Sequence, residues 1–241
     1  YQPSKNDLPS EWDTRKQFPG MIHGILNQEQ CGSCWAFSAS EVLSDRLAIA
    51  SNNSINEVLS PEALVECDKT DMGCQGGFPG NAAEYLKETG IPTMSCMPYT
   101  SGGGSVSSCP SKCTDGKPIT LRRYASWDYC TGEAAMMQAL QTGPVAVALA
   151  IYGDFMSYSS GVYSHQSGNL EGYHAVKLLG YGEMAGTTTT ASIPYWIVQN
   201  SWGPSWGIEG TFLIKRGTDE CGIENGPLNK GCPITGVPLV E

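Results

Sequence analysis

The segment Gln28-Glu29-Gln30-Cys31-Gly32-Ser33-Cys34-Trp35 constrains this chain most, because it sets a cysteine at the start of a helix with an amide side chain shortly upstream. Residues 35–50 place Phe37, Val42, Leu43, Leu47 and Ala50 on one broad apolar face, and Ser33 stands where an N-cap belongs. Cys34 then falls in the first turn. There, unpaired backbone N–H groups and the positive end of the helix dipole favour a thiolate, the nucleophilic form of the side chain. Such a thiol needs a base, and the chain has three histidines, His23, His165 and His174. A lone histidine is more often structural, but His174 lies in an apolar, glycine-ended run, residues 173–182, that reads as a strand and would hold the ring rigidly. A second strand-like run from Tyr195 ends at Asn200, whose amide can hold the other ring nitrogen. Nucleophile, base and orienter are all present.

The organisation reads as two-part and α+β. Helix signals occur at 35–50, at Ser60-Pro61-Glu62-Ala63-Leu64-Val65-Glu66, with a serine cap and a first-turn proline, and at 81–89. Residues 11–120 are therefore expected to form a helical lobe. Strand-like runs follow at 145–151, 174–181, 195–200 and 211–215, separated by Gly/Pro/Ser turns, so 121–228 are expected to form a β-rich lobe. Residues 1–10 and 229–241 are expected to cross between lobes as arms. Ser101-Gly102-Gly103-Gly104-Ser105 and the threonine run 187–190 read as surface loops. Cys34 and His174 fall on different lobes, which puts the active site in the cleft between them.

Composition narrows the classes. At 241 residues and 40% hydrophobic the chain can bury a large core. No apolar run approaches the roughly eighteen residues of a membrane span, so no membrane partner is expected. A net charge of −10 without basic clusters argues against nucleic acid. The start, Tyr1-Gln2-Pro3-Ser4-Lys5-Asn6-Asp7, has no signal-peptide character. Ten cysteines favour an oxidising compartment or an endocytic vacuole, and Asn52-Asn53-Ser54 is a possible glycosylation site. Setting Cys34 aside leaves an odd number of cysteines, so at least one more thiol is free or pairs outside the chain. Two rival readings use the cysteines differently. Cys109 with Cys113, and Cys67 with Cys74, are loosely spaced like zinc ligands but lack the tight pairs or nearby histidine that zinc favours. Cys31 and Cys34 have the spacing of a thioredoxin-like dithiol, though no βαβ pattern surrounds them. No metal or cofactor is expected.

With Cys-Gly-Ser-Cys-Trp at 31–35, a distant histidine and an asparagine after it, the sequence resembles the papain family of cysteine proteases. Matches run from Leu8-Pro9-Ser10-Glu11-Trp12-Asp13 through Cys74-Gln75-Gly76-Gly77 and Gly143-Pro144-Val145 to Cys221-Gly222-Ile223-Glu224, nearly the whole chain. Ser44-Asp45-Arg46, Tyr152-Gly153-Asp154-Phe155, Ser160-Gly161-Val162-Tyr163 and Arg216-Gly217-Thr218-Asp219 look most like the cathepsin B branch. The resemblance implies a two-lobed fold with a helical left lobe and a β-barrel-like right lobe. It implies Cys34 as nucleophile, His174 as base, Asn200 as its orienter, Gln28 as oxyanion donor and Trp202 as a shield over the His174–Asn200 bond. Gly76 and Gly77 would bond the substrate backbone, and Phe78, Pro79, Ala148, Ala175 and Gly226 would line the pocket for the second residue before the scissile bond. It also implies disulfides Cys31–Cys74, Cys67–Cys109 and Cys96–Cys113. Among the remaining cysteines a Cys130–Cys232 bridge is expected, with Cys221 able to take either partner. Implied partners are protein and peptide substrates, the chain's own propeptide and cystatin-like inhibitors. The resemblance implies a monomer, made as a zymogen, in a lysosome-like compartment or endocytic vacuole, or secreted.

Three departures bear on activity. Cathepsin B carries a histidine pair on an occluding loop that grips a substrate's C-terminal carboxylate, and no histidine occurs here between Cys96 and Cys113. Gly226 stands where that enzyme has a glutamate, which predicts a neutral pocket accepting Leu, Val or aromatic side chains and binding arginine poorly. Tyr173, before His174, brings a bulky ring to the leaving-group side. An endopeptidase is therefore expected. The alternatives are a dipeptidyl carboxypeptidase or peptide ligase that reads the carboxylate through Lys112 or Lys117, or a silent binding protein.

Overall fold

The computed structural model describes residues 8–186, 191–227 and 232–240. The threonine run 187–190, residue 228 at the end of the expected β-rich lobe, and parts of both expected arms, 1–7, 229–231 and 241, lie outside the described residues. Strand β1 (Trp12–Asp13) leads into the single turn α1 (Thr14–Gln17), capped by Asp13. Helix α2 (Cys34–Ala50) starts at the cysteine itself. Ser33 occupies its N-cap position but makes no side-chain capping bond, because its hydroxyl pairs with Tyr99 Oη at 3.0 Å; its carbonyl accepts from Ala36 N and Phe37 N. The expected single apolar face is also corrected. α2 is buried nearly all round, Ser38, Glu41, Asp45 and Arg46 included, whereas Ala50 is exposed.

Helix α3 (Pro61–Cys67) has the Ser60 cap and Pro61 in its first turn, with Ser60 Oγ accepting from Ala63 N. Helix α4 (Pro79–Glu88) begins two residues before the sequence signal, at another proline. Ser101 and Gly102 are not surface residues as expected: they form a buried 3₁₀ turn because Glu62 takes the N–H and hydroxyl of both Thr100 and Ser101.

The second half is a single antiparallel sheet apart from one parallel pair. Strand β2 (Tyr124–Tyr129) precedes helix α5 (Glu133–Leu140), and then come β3 (Val145–Tyr152), β4 (Val162–Tyr163), β5 (Leu170–Met184), β6 (Ile193–Gln199), β7 (Thr211–Lys215) and β8 (Ile234–Pro238). The order is β2-β8-β3-β5-β6-β7-β4, with β1 added beside β5 and β4 parallel to β7. The expected β-barrel-like lobe is corrected to an open sheet among the described residues. Closure needs the end strands to bond, and here β2 is drawn toward α4 while β4 has two residues. Two main cores result among the described residues, one of sheet and α5 residues such as Leu140, Val147, Leu149 and Trp196, the other of helix residues such as Trp35, Leu43, Leu64 and Leu86, with a small third cluster of Val42, Ala83, Ala146 and Ile234. α2 packs on β5 along its length and joins them.

Three disulfides, Cys31–Cys74, Cys67–Cys109 and Cys96–Cys113, staple the helical half. Cys31 is thereby taken from Cys34, so the dithiol reading fails. Cys130, Cys221 and Cys232 are free, which corrects the expected Cys130–Cys232 bridge: the Cys232 thiol is turned onto β3, donating to Ala146 O.

Candidate active site

Three segments meet at the first turn of α2. The loop before it is tied to the loop after β6 by an Asn27–Trp202 bridge and by Gln28 N donating to Ser201 O at 2.9 Å. Disulfide Cys31–Cys74 pins the glycine loop 73–77 alongside, and Gly77 packs so closely that a Cβ there would stand 2.5 Å from the Trp35 ring. From the sheet, the β3–β5 register sets Ala148 opposite Ala175 and Leu149 opposite His174. Cys34 and His174 thus open on one cavity of about 130 Å³, with Phe78, Pro79, Ala148 and Ala175 on its walls.

His174 Nε2 lies 2.7 Å from Asn200 Oδ1, which also accepts from Ser201 N at 2.8 Å. An oxygen that accepts from Ser201 N makes Nε2 the protonated nitrogen and leaves Nδ1 as the basic one. Trp202 lies against the imidazole, centroids 4.8 Å apart, and is itself wedged by Phe155 and Trp206. Gln28 is 7% exposed and held at both ends of its amide: Nε2 donates to Cys31 O at 2.9 Å and Oε1 accepts from Ser201 Oγ at 2.7 Å.

Burial pushes the Cys34 thiol above its ordinary value, opposed by the backbone N–H groups of Ala175, Trp35 and Cys34. Burial also lowers His174 to about 4, against the pull of the Asn200 hydrogen bond. Behind the site a buried charge cluster locks α2 to the sheet. Lys177 Nζ meets Asp45 at 2.8 Å and Glu41 at 3.3 Å, and Gln199 Nε2 donates to Glu41 at 2.8 Å. The other histidines sit elsewhere: His23 Nδ1 pairs with Asp45 at 2.7 Å, and His165 stacks on Tyr152 beside Asp154.

Gly76, Trp202, Gln28 and Gly226 flank the cavity rather than line it. Its remaining walls are Gly77, Tyr173, Pro227 and Cys232. Tyr173 is the ring noted from sequence and is half exposed. Cys232 escaped sequence reasoning because nothing local ties a cysteine ahead of a proline to a glycine loop on the other half. Tyr99 escaped it too, though its hydroxyl donates to Gln28 O at 2.8 Å and steadies both Gln28 and Ser33.

Comparison with known proteins matches residues 8–230 to the model of the papain family cysteine proteases. Among curated proteins the chain is similar to cathepsin B-like CP2 of Giardia intestinalis, 42% identical over 91% of this chain and 73% of that protein. It is also similar to cathepsin B-like cysteine proteinase 4 of Caenorhabditis elegans, 37% identical over 98% of this chain and 77% of that one. Among solved structures it resembles procathepsin B S9 from Trypanosoma congolense, with a TM-score of 0.86 and 31% identity over 100% of this chain and 82% of that chain.

Proposed function

The chain belongs to the papain family of cysteine proteases, in its cathepsin B-like branch, and from that premise we propose that it is an endopeptidase working through Cys34 and His174 with apolar preference at the second residue before the scissile bond. The observation that carries the reading is the shared cavity of Cys34 and His174 with Nε2 of the histidine tied to Asn200.

Each group alone is held neutral by burial, but moving the thiol proton to Nδ1 creates both charges together. Their mutual attraction, the start of α2 and the surrounding N–H groups then act on the pair. The Cys34 sulfur attacks the peptide carbonyl carbon, and the oxygen that gains charge is met by Gln28 Nε2 and a backbone N–H of Cys34. The C–N bond breaks as His174 gives its proton to the departing amine. Water, losing a proton to His174, then cleaves the thioester and returns the thiol. Trp202 covers the His174–Asn200 bond against solvent. The lobes of 11–120 and 121–228 each supply one partner.

The absence of histidine between Cys96 and Cys113 supports cleavage within long substrates. Of the lysines proposed for a carboxylate clamp, Lys117 is drawn to Asp115 at 2.7 Å, which weakens the carboxypeptidase alternative. Similarity to a procathepsin supports synthesis as a propeptide-bearing zymogen, and the branch supports a lysosome-like, vacuolar or secreted setting with cystatin-like inhibitors. The test is mass-spectrometric mapping of cuts in one long peptide with free and with amidated C-terminus, using Cys34→Ala as the blank. Internal cuts indifferent to amidation are expected; dipeptides released only from the free C-terminus would overturn the endopeptidase.

A further inference from the structure

The cavity beside Cys34 has a wall that position 226 cannot supply. Gly226 is left-handed, with φ of 79°, and a Cβ on it would lie 2.7 Å from the carbonyl oxygen and 2.9 Å from the nitrogen of Cys232. A side chain there would have to displace backbone. Cys232 takes the place instead, 5% exposed and on the cavity wall. Its sulfur donates to Ala146 O at 3.7 Å and faces the backbone N–H of Ala148, and the Ala146–Ile234 pairing of β3 with β8 fixes the chain just after it.

Cys232 has a second side. It also lines an adjoining, more open groove of about 430 Å³ walled by Glu84, Trp127 and Tyr129, and Phe78 and Pro79 are shared by both spaces. These three residues form the partition between the cavity and the groove.

We propose that Cys232 is the specificity-determining residue of the cavity: its side chain closes the floor, limits the length of the substrate side chain seated there and presents it with an uncharged sulfur. The inference rests on the reading that this cavity takes the second residue before the scissile bond. Burial keeps the thiol protonated, pushed up to about 12, so a cationic side chain finds no counter-charge on it.

The test uses peptides that differ only at that second residue, carrying Gly, Val, Phe or Arg, with kcat/KM measured for wild type, Cys232→Ala, Cys232→Met and Cys232→Ser. Titration of active Cys34 and a melting curve normalise each variant for folded enzyme. Truncation to Ala should raise the Phe-to-Val ratio by about tenfold or more, the scale of a methylene-sized change in an apolar pocket, and Met should lower it by a similar factor. The near-isosteric Ser should keep the wild-type order, and the Gly peptide should change little in all three. Unchanged ratios in both the Ala and Met variants would overturn the role of Cys232. A wild type that prefers Arg, or ignores this position, would instead overturn the reading of the cavity itself.

Discussion

Gln28 shows how a flexible side chain becomes a fixed donor. Its nitrogen is held by Cys31 O, its oxygen by Ser201 Oγ, and its own carbonyl by Tyr99, so its own loop and two distant segments immobilise it before any substrate arrives. A donor that needs no reorganisation is worth most in the transition state. Gln28→Ala should therefore lower kcat by about 10²–10³ with little change in KM, as steady-state kinetics would read. An unchanged kcat would remove Gln28 from the oxyanion site. Asn200 shows the cost of such placement: its Nδ2 is buried without a partner among the described residues while Oδ1 serves both His174 and Ser201. An unsatisfied buried group costs about 1–3 kcal/mol, which the aligned imidazole must justify.

At the scale of elements, α2 carries charge where a helix usually carries core. Glu41 is pushed up to about 7, chiefly by burial and further by the charge of Asp45, against the pull of Lys177. A raised carboxyl binds more protons folded than unfolded, so its contribution is present below its ordinary pKa and is lost as pH rises toward 7. Glu41→Gln keeps a neutral partner for Gln199 and removes that titration. The fall in Tm between pH 5 and pH 8 should be smaller in Glu41→Gln than in wild type; an equal fall would show that Glu41 does not titrate in this window. His174, lowered to about 4, acts in the opposite sense and costs stability as pH falls from its ordinary value toward 4.

For the molecule as a whole, Arg46 is the tie between α2 and the sheet half. It is 4% exposed, and its guanidinium donates to the carbonyls of Pro144, Gly236, Ala139 and Gly143 and to Thr142 Oγ1. An ammonium cannot reproduce that fork. Arg46→Lys should destabilise by about 2 kcal/mol or more, read as a lower denaturant midpoint at unchanged m-value. A midpoint within error of wild type would show that water or the lysine meets those carbonyls.

The sequence by itself pointed to the family, to the candidate chemistry-bearing residues and to the elements that present them. Cys34 at a helix start, His174 within β5, Asn200 just past the end of β6, and the cap of α3 are local signals, because helix termini and strand alternation are written in neighbouring residues. Tertiary structure decided what depends on partners far along the chain. The sheet stays open because its end strands are engaged elsewhere; Ser33 gives its hydroxyl to Tyr99 rather than to its own helix; and α2 hides Glu41, Asp45 and Arg46 because Lys177 and four distant carbonyls receive them. Cys232 reaches the active-site cavity for the same kind of reason: the β3–β8 pairing brings it there, and hydrogen bonds between distant strands leave no mark on the residues around a cysteine.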